Sequence, residues 1–409
     1  MKKFDVLIIG GGAAGLFAAV HCGRFGKKTA VIEKNDIYGK KLLITGKGRC
    51  NVTNNCDVET VMKNIPTNPR FLYSALNGFT SEDTMNFFEW SGVPLKTERG
   101  NRVFPESDKS SDIVSALVRE CRDADVEFIK DEAVKLIIEN ETVMGVECKN
   151  GEYFCEKLLV ATGGKSYPKT GSTGDGYKFA KQAGHTVTEI RPSLVPVVTE
   201  EKEPTEMMGL SLKNVALSVL KDNSSKPIFK EQGEMLFTHF GVSGPLVLSA
   251  SSHIRDVNDG EYKISIDLKP ALDEDTLDKR VLRDFTEAKN RDFQNSLGKL
   301  LPSKMIPVIV RLSGIDGTKK VNEITREERQ DLVKLIKNLT FTIKKFRPVD
   351  EAIITSGGVS TKEINPKTME SKITKNLYFA GEVIDCDAYT GGFNLQIAFS
   401  TAYAFAVNI

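Results

Sequence analysis

"FDVLIIGGGAAGLFAAVHCGRFGKKTAVIEK", residues 4–34, decides the fold. The stretch reads as strand, glycine turn, helix, strand and acid, which is the order of a dinucleotide-binding βαβ unit. Gly10 permits the tight turn, Gly12 lets the backbone approach a pyrophosphate, and Gly15 lets the helix pack closely on the strand. Glu33 ends the second strand, where a carboxylate can hold both ribose hydroxyls. The stretch therefore predicts a dinucleotide site.

The bulk composition is that of a globular enzyme. The chain has 409 residues, of which 40% are apolar and 27% charged, and its length predicts two or three domains. Lys+Arg 56 against Asp+Glu 55 leave a formal charge of +1, so no global field attracts nucleic acid or an anionic membrane. Glycines interrupt the apolar N-terminal run, and no membrane span is expected. We predict a cytoplasmic protein whose seven cysteines are reduced.

The C-terminal segment decides between FAD and NAD. Residues 376–406, "NLYFAGEVIDCDAYTGGFNLQIAFSTAYAFA", predict a strand, a Gly-Glu turn, a loop and a Gly-Gly start to an apolar helix. An FAD protein returns to its cofactor in this way near its C-terminus, so FAD is favoured. Asp385 or Glu382 is expected to take a ribityl hydroxyl, and the helix start at 392–395 would stabilise the anion formed on flavin reduction.

A third segment contains a buried strand and a glycine-rich loop. Residues 158–180, "LLVATGGKSYPKTGSTGDGYKFA", place Thr162-Gly163-Gly164 at the end of that strand. Strand ends of this kind lie at the carboxyl edge of a doubly wound sheet, where ligands bind. An ordinary loop remains an alternative for 171–176.

Five phrases together carry a family resemblance. They are "GGGAAGLFAA", "KKLLITGKGRCNVTN", "ATGGKSYPKTGSTGDGY", "FTHFGVSGP" and "LYFAGEVIDCDAYTGGFNLQIAFS". The sequence resembles the BaiN/YhiN-like flavoproteins, also described as aminoacetone oxidase-like FAD-binding proteins, from residue 1 to about residue 406. The resemblance implies an α/β fold in which a Rossmann-like FAD-binding domain is interrupted by a β-barrel-like domain that carries a helical insertion. It also implies that 46–51 and 389–396 line the isoalloxazine.

The residue patterns support the same layout. Short alternating runs such as "KNVALSVLK" and "GEYKISIDLK" are typical of an antiparallel barrel, and helix formers dominate residues 271–338, with a capping box at Thr325 and Glu328. The predicted parts are the first FAD-domain part at 1–190, the first barrel part at 191–270, the helical insertion at 271–338, the barrel return strand at 339–348, and the second FAD-domain part at 349–409.

The predicted FAD-binding residues come mainly from these segments. They are Gly10, Gly12, Ala13, Ala14, Gly15, Glu33, Lys34, Lys41, Thr45, Gly46, Gly48, Arg49, Cys50, Asn51, Val134, Ala161, Thr162, Gly163, Gly164, Gly381, Glu382, Asp385, Gly392, Asn394, Leu395 and Gln396.

Two cysteines in "GKGRCNVTNNC", residues 46–56, raise three alternatives. Cys50 and Cys56 could be a redox pair, part of a metal site, or the lining of a cofactor pocket. The spacing differs from that of flavin disulfide reductases, and the further clustered ligands of a zinc site are missing. Pocket lining is therefore favoured and no metal is predicted. Arg49 beside them can support negative charge on reduced flavin.

The predicted function is an FAD-dependent oxidoreductase acting on a small molecule, without nucleic acid as a partner. The catalytic candidates are Arg49, Tyr167, His239 and Tyr389, and His239 is the candidate general acid. The resemblance implies either reduction of conjugated enones in bile-acid-like steroids, with NADH or NADPH as a transient donor, or oxidation of small amines such as aminoacetone. The large inserted segment favours the reductase. FAD-dependent RNA modification and a non-catalytic flavoprotein remain alternatives, and the sequence leaves the oligomeric state open.

Overall fold

The structure is a computed structural model that describes residues 2–222, 224, 226–254, 257 and 261–409. Contacts divide the chain into two compact units. Unit 1 comprises Met1–Ser193 and Pro348–Ile409, and unit 2 comprises Leu194–Arg347. The finer division into five parts stays a prediction. None of the helices in the described residues combines the length and apolar character that a bilayer crossing needs.

The strands are, in chain order, β1 (Lys2–Ile9), β2 (Thr29–Glu33), β3 (Thr53–Asn54), β4 (Leu95–Glu98), β5 (Arg102–Pro105), β6 (Glu127–Lys130), β7 (Ala133–Glu139), β8 (Thr142–Cys148), β9 (Gly151–Val160), β10 (Arg191–Ser193), β11 (Val197–Thr199), β12 (Ser211–Lys221), β13 (Phe229–Thr238), β14 (Gly241–Ser243), β15 (Tyr262–Asp267), β16 (Leu339–Phe346), β17 (Ile354–Ser356) and β18 (Leu377–Phe379).

The α-helices are α1 (Ala13–Arg24), α2 (Lys40–Ile44), α3 (Val58–Lys63), α4 (Tyr73–Gly78), α5 (Ser81–Trp90), α6 (Ser110–Asp123), α7 (Asp175–Gln182), α8 (Glu203–Glu206), α9 (Pro245–Ser251), α10 (Glu274–Glu287), α11 (Ile306–Ser313), α12 (Arg326–Lys337) and α13 (Phe393–Ala406).

Unit 1 is built on a sheet in the order β6-β2-β1-β9-β8-β7, with β18 also paired to β9. Strands β6, β2, β1, β9 and β18 run parallel, so their carboxyl ends meet at one edge. The inner strands are buried on both faces because helices cover the sheet, which explains the continuous apolar run at 6–9. Helix α13 packs beside α1, with the Phe17 and Phe399 rings 4.9 Å apart. The C-terminal segment therefore returns to the opening βαβ unit.

Unit 2 contains a closed barrel in the order β11-β14-β13-β12-β15-β16. Alternating residues of β15 are buried, as expected for a strand with one face toward a core. The chain leaves the barrel after β15 and returns at β16, and α10, α11 and α12 lie between these strands. Helix α12 starts with the expected capping box, in which Thr325 and Glu328 bond reciprocally to each other's backbone amides. The predicted fold class is confirmed.

Candidate active site

The glycine turn between β1 and α1 has the geometry that the sequence predicts. Gly10 has φ +108°, and a Cβ there would lie 2.6 Å from the carbonyl oxygen of Ala161. A Cβ at Gly15 would lie 1.9 Å from the carbonyl oxygen of Gly10, so helix and turn touch. A Cβ at Gly12 would meet no atom within 4 Å. Helix α1 starts at Ala13 without a side-chain cap or an acidic first turn, which leaves its amides to an anion.

Glu33 lies at the end of β2 with only 9% of its surface exposed. One carboxylate oxygen accepts the backbone N–H of Gly11 at 2.8 Å. The other accepts the backbone N–H of Asn35 at 2.8 Å and its side-chain N–H at 2.7 Å. These bonds fix the Glu33 carboxylate against the glycine turn, where the sequence predicts a ribose-binding acid.

The loop after α2 has an unusual backbone. Gly46, Lys47, Gly48 and Cys50 have φ values of 60°, 60°, 84° and 58°. Non-glycine residues with positive φ cost of order 1–3 kcal/mol each and cluster at functional sites. The side-chain oxygen of the next residue, Asn51, is buried without a hydrogen-bond partner. Backbone strain and an unpaired polar atom in one short loop agree with the flavin-lining role expected for 46–51, which stays a prediction.

The cysteines are free thiols. Burial raises the pKa of Cys50 to about 12 and that of Cys56 to about 11, with Asp57 adding to the second shift. Both thiols are therefore protonated at neutral pH, whereas thiol–disulfide chemistry runs through the thiolate. Within the described residues, no group of three or more His, Cys, Asp or Glu side chains is arranged to hold a metal ion.

A charged cluster joins three segments that are distant in sequence. The Lys41 ammonium group donates to Glu382 and to the Ser166 hydroxyl, each at 2.7 Å. The other Glu382 oxygen accepts the Ser166 hydroxyl at 3.0 Å and the Thr355 backbone N–H at 2.9 Å. The Lys41 nitrogen also lies 5.9 Å from the centre of the Tyr167 ring. Both Glu382 oxygens are thus engaged within the protein.

The C-terminal turn is fixed by close backbone contact. Gly392 has φ +99° and caps α13, and a Cβ there would lie 2.3 Å from the Thr53 carbonyl group. Asn394 bonds both backbone groups of Ala388. Gln396, fully buried, accepts the hydroxyl of Thr53 at 2.6 Å. The side chains of Asn394 and Gln396, both predicted to bind FAD, therefore bond to other segments of the protein, at Ala388 and Thr53.

The structure distributes the catalytic candidates over both units. Arg49 lies in unit 1 and is paired with the carboxylates of Glu98 and Asp108, so much of its charge is compensated. Tyr167, half-buried with φ 51°, and Tyr389, whose amide bonds the Asn64 carbonyl group at 2.9 Å, also lie in unit 1. His239 belongs to unit 2, where it is exposed between β13 and β14. The four roles stay predictions.

The remaining predicted side chains vary in environment. Lys34 pairs with Asp175 at 2.6 Å, Asp385 accepts the Asn68 amide, and Val134 is 53% exposed on β7. Sequence reasoning missed Tyr177, whose buried hydroxyl has no hydrogen-bond partner. Its only signal is its place at the end of a glycine-rich run, a pattern that does not by itself identify a tyrosine as a ligand.

The whole chain matches one known family. Residues 4–408 fit the family described as "HI0933-like protein Rossmann domain". The chain belongs to this family. The predicted relationship is confirmed, and family and fold together identify an FAD-dependent oxidoreductase with a Rossmann-type cofactor domain.

Three similar proteins span almost the full length. "Ribosomal RNA dihydrouridine synthase" of Escherichia coli (strain K12) is 33% identical over 100% of this chain and 98% of the relative. "3-dehydro-bile acid delta(4,6)-reductase" of Clostridium scindens is 30% identical over 97% of this chain and 96% of the relative. The solved 3-ketosteroid-delta4-(5alpha)-dehydrogenase from Rhodococcus jostii RHA1 covers 99% of this chain and 97% of its own, with TM-score 0.51 and 13% identity, which shows the fold alone.

FAD fits the residues that are present. The space beside Gly12 leaves room for a group that approaches the helix amides. Seven buried side-chain polar atoms in the described residues have no hydrogen-bond partner, and three of them belong to Asn51, Thr162 and Tyr177 in the predicted cofactor segments. Buried polar atoms without hydrogen-bond partners are costly, and these three are available to the polar groups of FAD.

Proposed function

We propose that this protein reduces a carbon–carbon double bond conjugated to a carbonyl group, and that its substrate is a uracil base of ribosomal RNA. The end-to-end similarity to the E. coli ribosomal RNA dihydrouridine synthase carries the proposal. That similarity slightly exceeds the one to the bile-acid reductase in both identity and coverage. A ribosomal RNA substrate also agrees with the cytoplasmic location predicted from the sequence.

Both relatives' names point to the same bond chemistry. The C5=C6 bond of uracil is conjugated to the C4 carbonyl group, and the delta-4 bond of a 3-dehydro-steroid is conjugated to the C3 carbonyl group. In either case a hydride adds to the carbon distant from the carbonyl group and a proton adds to the adjacent carbon. The two electrons come from NADH or NADPH, which leaves as NAD⁺ or NADP⁺. FAD, when bound, supplies two-electron transfer between the coenzyme and the substrate.

Protein residues divide between cofactor holding and proton delivery. We assign the α1 amides to the pyrophosphate, Glu33 to the ribose, and the 46–51 loop with the 389–392 turn to the flavin ring. Tyr167 is the favoured proton donor, because it carries a phenol proton at neutral pH and its half-buried ring lies 5.9 Å from the Lys41 nitrogen of the charged cluster. Arg49, His239 and Tyr389 stay further candidates. The sequence holds no second G-x-G-x-x-G unit, so the nicotinamide coenzyme would bind transiently.

A bile-acid-like enone is the second candidate substrate, and the C. scindens relative favours it. Oxidation of a small amine such as aminoacetone is the remaining sequence-based alternative. The formal charge of +1 argues against an RNA substrate, but that sum covers all 409 residues and does not describe the surface around the site.

The test is turnover by the FAD-loaded protein with NADH or NADPH under anaerobic conditions. Two electron acceptors are compared: ribosomal RNA from a strain lacking the gene, and a 3-keto-4-ene steroid. In a separate reaction aminoacetone replaces the coenzyme as the electron donor. Dihydrouridine in the nucleoside digest, detected by mass spectrometry, would support the proposal. Coenzyme oxidation with the steroid alone would support the second candidate, and loss of flavin absorbance with aminoacetone but with neither coenzyme would overturn both.

A further inference from the structure

A short hairpin beside the predicted flavin loop carries an excess of positive charge. It consists of β4 and β5, and its tip is 99–101. Residues 46–49 and 95–110 together hold six Lys or Arg and three Asp or Glu, a net charge of +3 in a chain whose total is +1. The remainder of the chain is therefore slightly negative, and this segment is distinct from it.

The hairpin tip is bonded to residues that follow the predicted flavin loop and, through Asn54, is linked to the C-terminal turn. The Asn54 side chain donates to the carbonyl oxygens of Gly100 and Gly391, both at 3.0 Å, which ties the tip to the C-terminal turn. The Asn55 backbone N–H donates to the Asn101 carbonyl oxygen at 2.7 Å. Strand β3 pairs with β5, with Thr53 opposite Val103. Hydrogen bonds within unit 1 thus hold together the hairpin tip, strand β3 and the C-terminal turn.

The base of the hairpin is attached to the same loop. The backbone N–H of Ser110 donates to the carbonyl oxygen of Gly48 at 2.9 Å, and its hydroxyl donates to the Leu43 carbonyl oxygen at 2.7 Å. Lys109 immediately precedes Ser110, and Lys47 precedes Gly48. The backbone segments that carry these two cations therefore adjoin, although the two lysines are 62 positions apart.

Two of the three carboxylates in the segment are paired with cations of the same segment. Glu98 is paired with Arg49, and Asp108 with both Arg49 and Lys96. The side chains of Lys47, Arg99, Arg102 and Lys109, which we call the cationic rim, are exposed. Arg102 also donates from its Nε to the carbonyl oxygen of Arg99 at 3.0 Å, which fixes the base of its guanidinium group. The third carboxylate, Glu106, is exposed.

We propose that the cationic rim binds RNA backbone phosphates on either side of the uridine that is reduced. The inference rests on the proposed function. An enzyme that acts on a base within folded RNA must take that base out of its stack, and contacts to the flanking phosphates then position it. The phosphates that flank the target base would lie near the cations that adjoin the predicted flavin loop. A rim of this kind reconciles a nearly neutral chain with a polyanionic substrate.

The experiment measures RNA binding as a function of salt. The probe is a fluorescein-labelled twelve-nucleotide oligouridylate, followed by anisotropy between 0.05 and 0.4 M KCl with FAD-loaded protein. The variants are Arg102→Ala/Lys109→Ala and the single Lys109→Ala. Their matched control is Lys135→Ala/Lys181→Ala, which removes two exposed cations elsewhere in unit 1. Absorbance near 450 nm reports whether each variant still folds and holds FAD.

Each phosphate contact on a single strand contributes about −0.7 to the slope of log affinity against log salt. The rim double variant should therefore lose about 1.4 from the slope, which weakens binding about 25-fold at 0.1 M KCl, and the single variant should lose about 0.7. The control should stay within about twofold of wild type. A rim variant that binds like the control would overturn the proposal.

The results distinguish a failure of the rim proposal from a failure of the proposed function. Dihydrouridine formation by the wild type, with unchanged RNA affinity and salt slope in the rim variants, would remove the rim and leave the proposed function. Absence of dihydrouridine from the wild-type reaction would remove the proposed function, and the rim proposal would fall with it.

Discussion

Replacing Glu33 by alanine should weaken FAD binding about 30-fold. The carboxylate is nearly buried and already holds three N–H donors at 2.7–2.8 Å, so its position is fixed before any ribose arrives. Hydrogen bonds to a charged group contribute about 1.5–3 kcal/mol. Loss of about 2 kcal/mol corresponds to about a 30-fold rise in the dissociation constant.

The same substitution should also destabilise the apoprotein. It removes the acceptor of the buried Gly11 amide, and an unpaired buried donor costs about 1–3 kcal/mol. Glu33→Gln, which keeps the size and one acceptor oxygen, should lie between wild type and alanine in both measurements.

The assay is a titration of apoprotein with FAD, followed by quenching of flavin fluorescence, with thermal unfolding measured in parallel. Asp36→Ala is the matched control, because that carboxylate is 94% exposed and pairs only peripherally with Lys130. It removes the same charge and should change the dissociation constant less than about twofold. The reasoning would be refuted if Glu33→Ala bound FAD as tightly as Asp36→Ala.

Three further predictions concern a buried histidine, the glycine turn and the cysteines. Burial lowers the pKa of His21 from an ordinary 6.5 to about 4. The free energy of unfolding should therefore fall by about 3 kcal/mol as the pH drops from 6.5 to 4, because the unfolded chain takes up a proton that the folded chain excludes. In His21→Leu the free energy of unfolding should depend less on pH over that window, and the same pH dependence as wild type would contradict the prediction. Gly12→Ala should fold but purify with less FAD, whereas Gly15→Ala should lose folded protein because its Cβ would overlap the Gly10 carbonyl oxygen, as soluble yield and absorbance near 450 nm will show. Cys56→Ser should leave bleaching by NAD(P)H nearly intact, and a long-wavelength thiolate–flavin band in the wild type would instead revive the redox-pair interpretation.

The parts of the site that lie within one supersecondary unit could be predicted from sequence. The role of Gly15 depends on Gly10, five positions away, and Glu33 is indicated by a fixed spacing within one βαβ unit. The close contact of Gly10 with Ala161 is long-range and is not indicated by the local sequence. The barrel could be predicted as well, because its alternating strands carry their burial pattern in the chain itself.

Long-range polar pairing could not be predicted in the same way. Lys41 and Glu382 are 341 residues apart, and no local pattern indicates that they meet. Arg49 was predicted to support flavin charge, but the carboxylates that hold it lie 49 and 59 positions downstream. The sequence also does not indicate the positive φ of Lys47 and Cys50, because neither residue type favours that conformation.

The central claim is that electrons held at the cofactor site pass to a conjugated double bond of uracil, and a single-turnover experiment tests it most directly. The FAD-loaded protein is bleached anaerobically with one equivalent of NADH or NADPH and mixed with ribosomal RNA from a strain lacking the gene. We predict that the absorbance near 450 nm returns rapidly, with close to one dihydrouridine formed per FAD, and that it returns slowly with oxygen alone. Absorbance that returns with oxygen but not with RNA, and without dihydrouridine, would contradict the account.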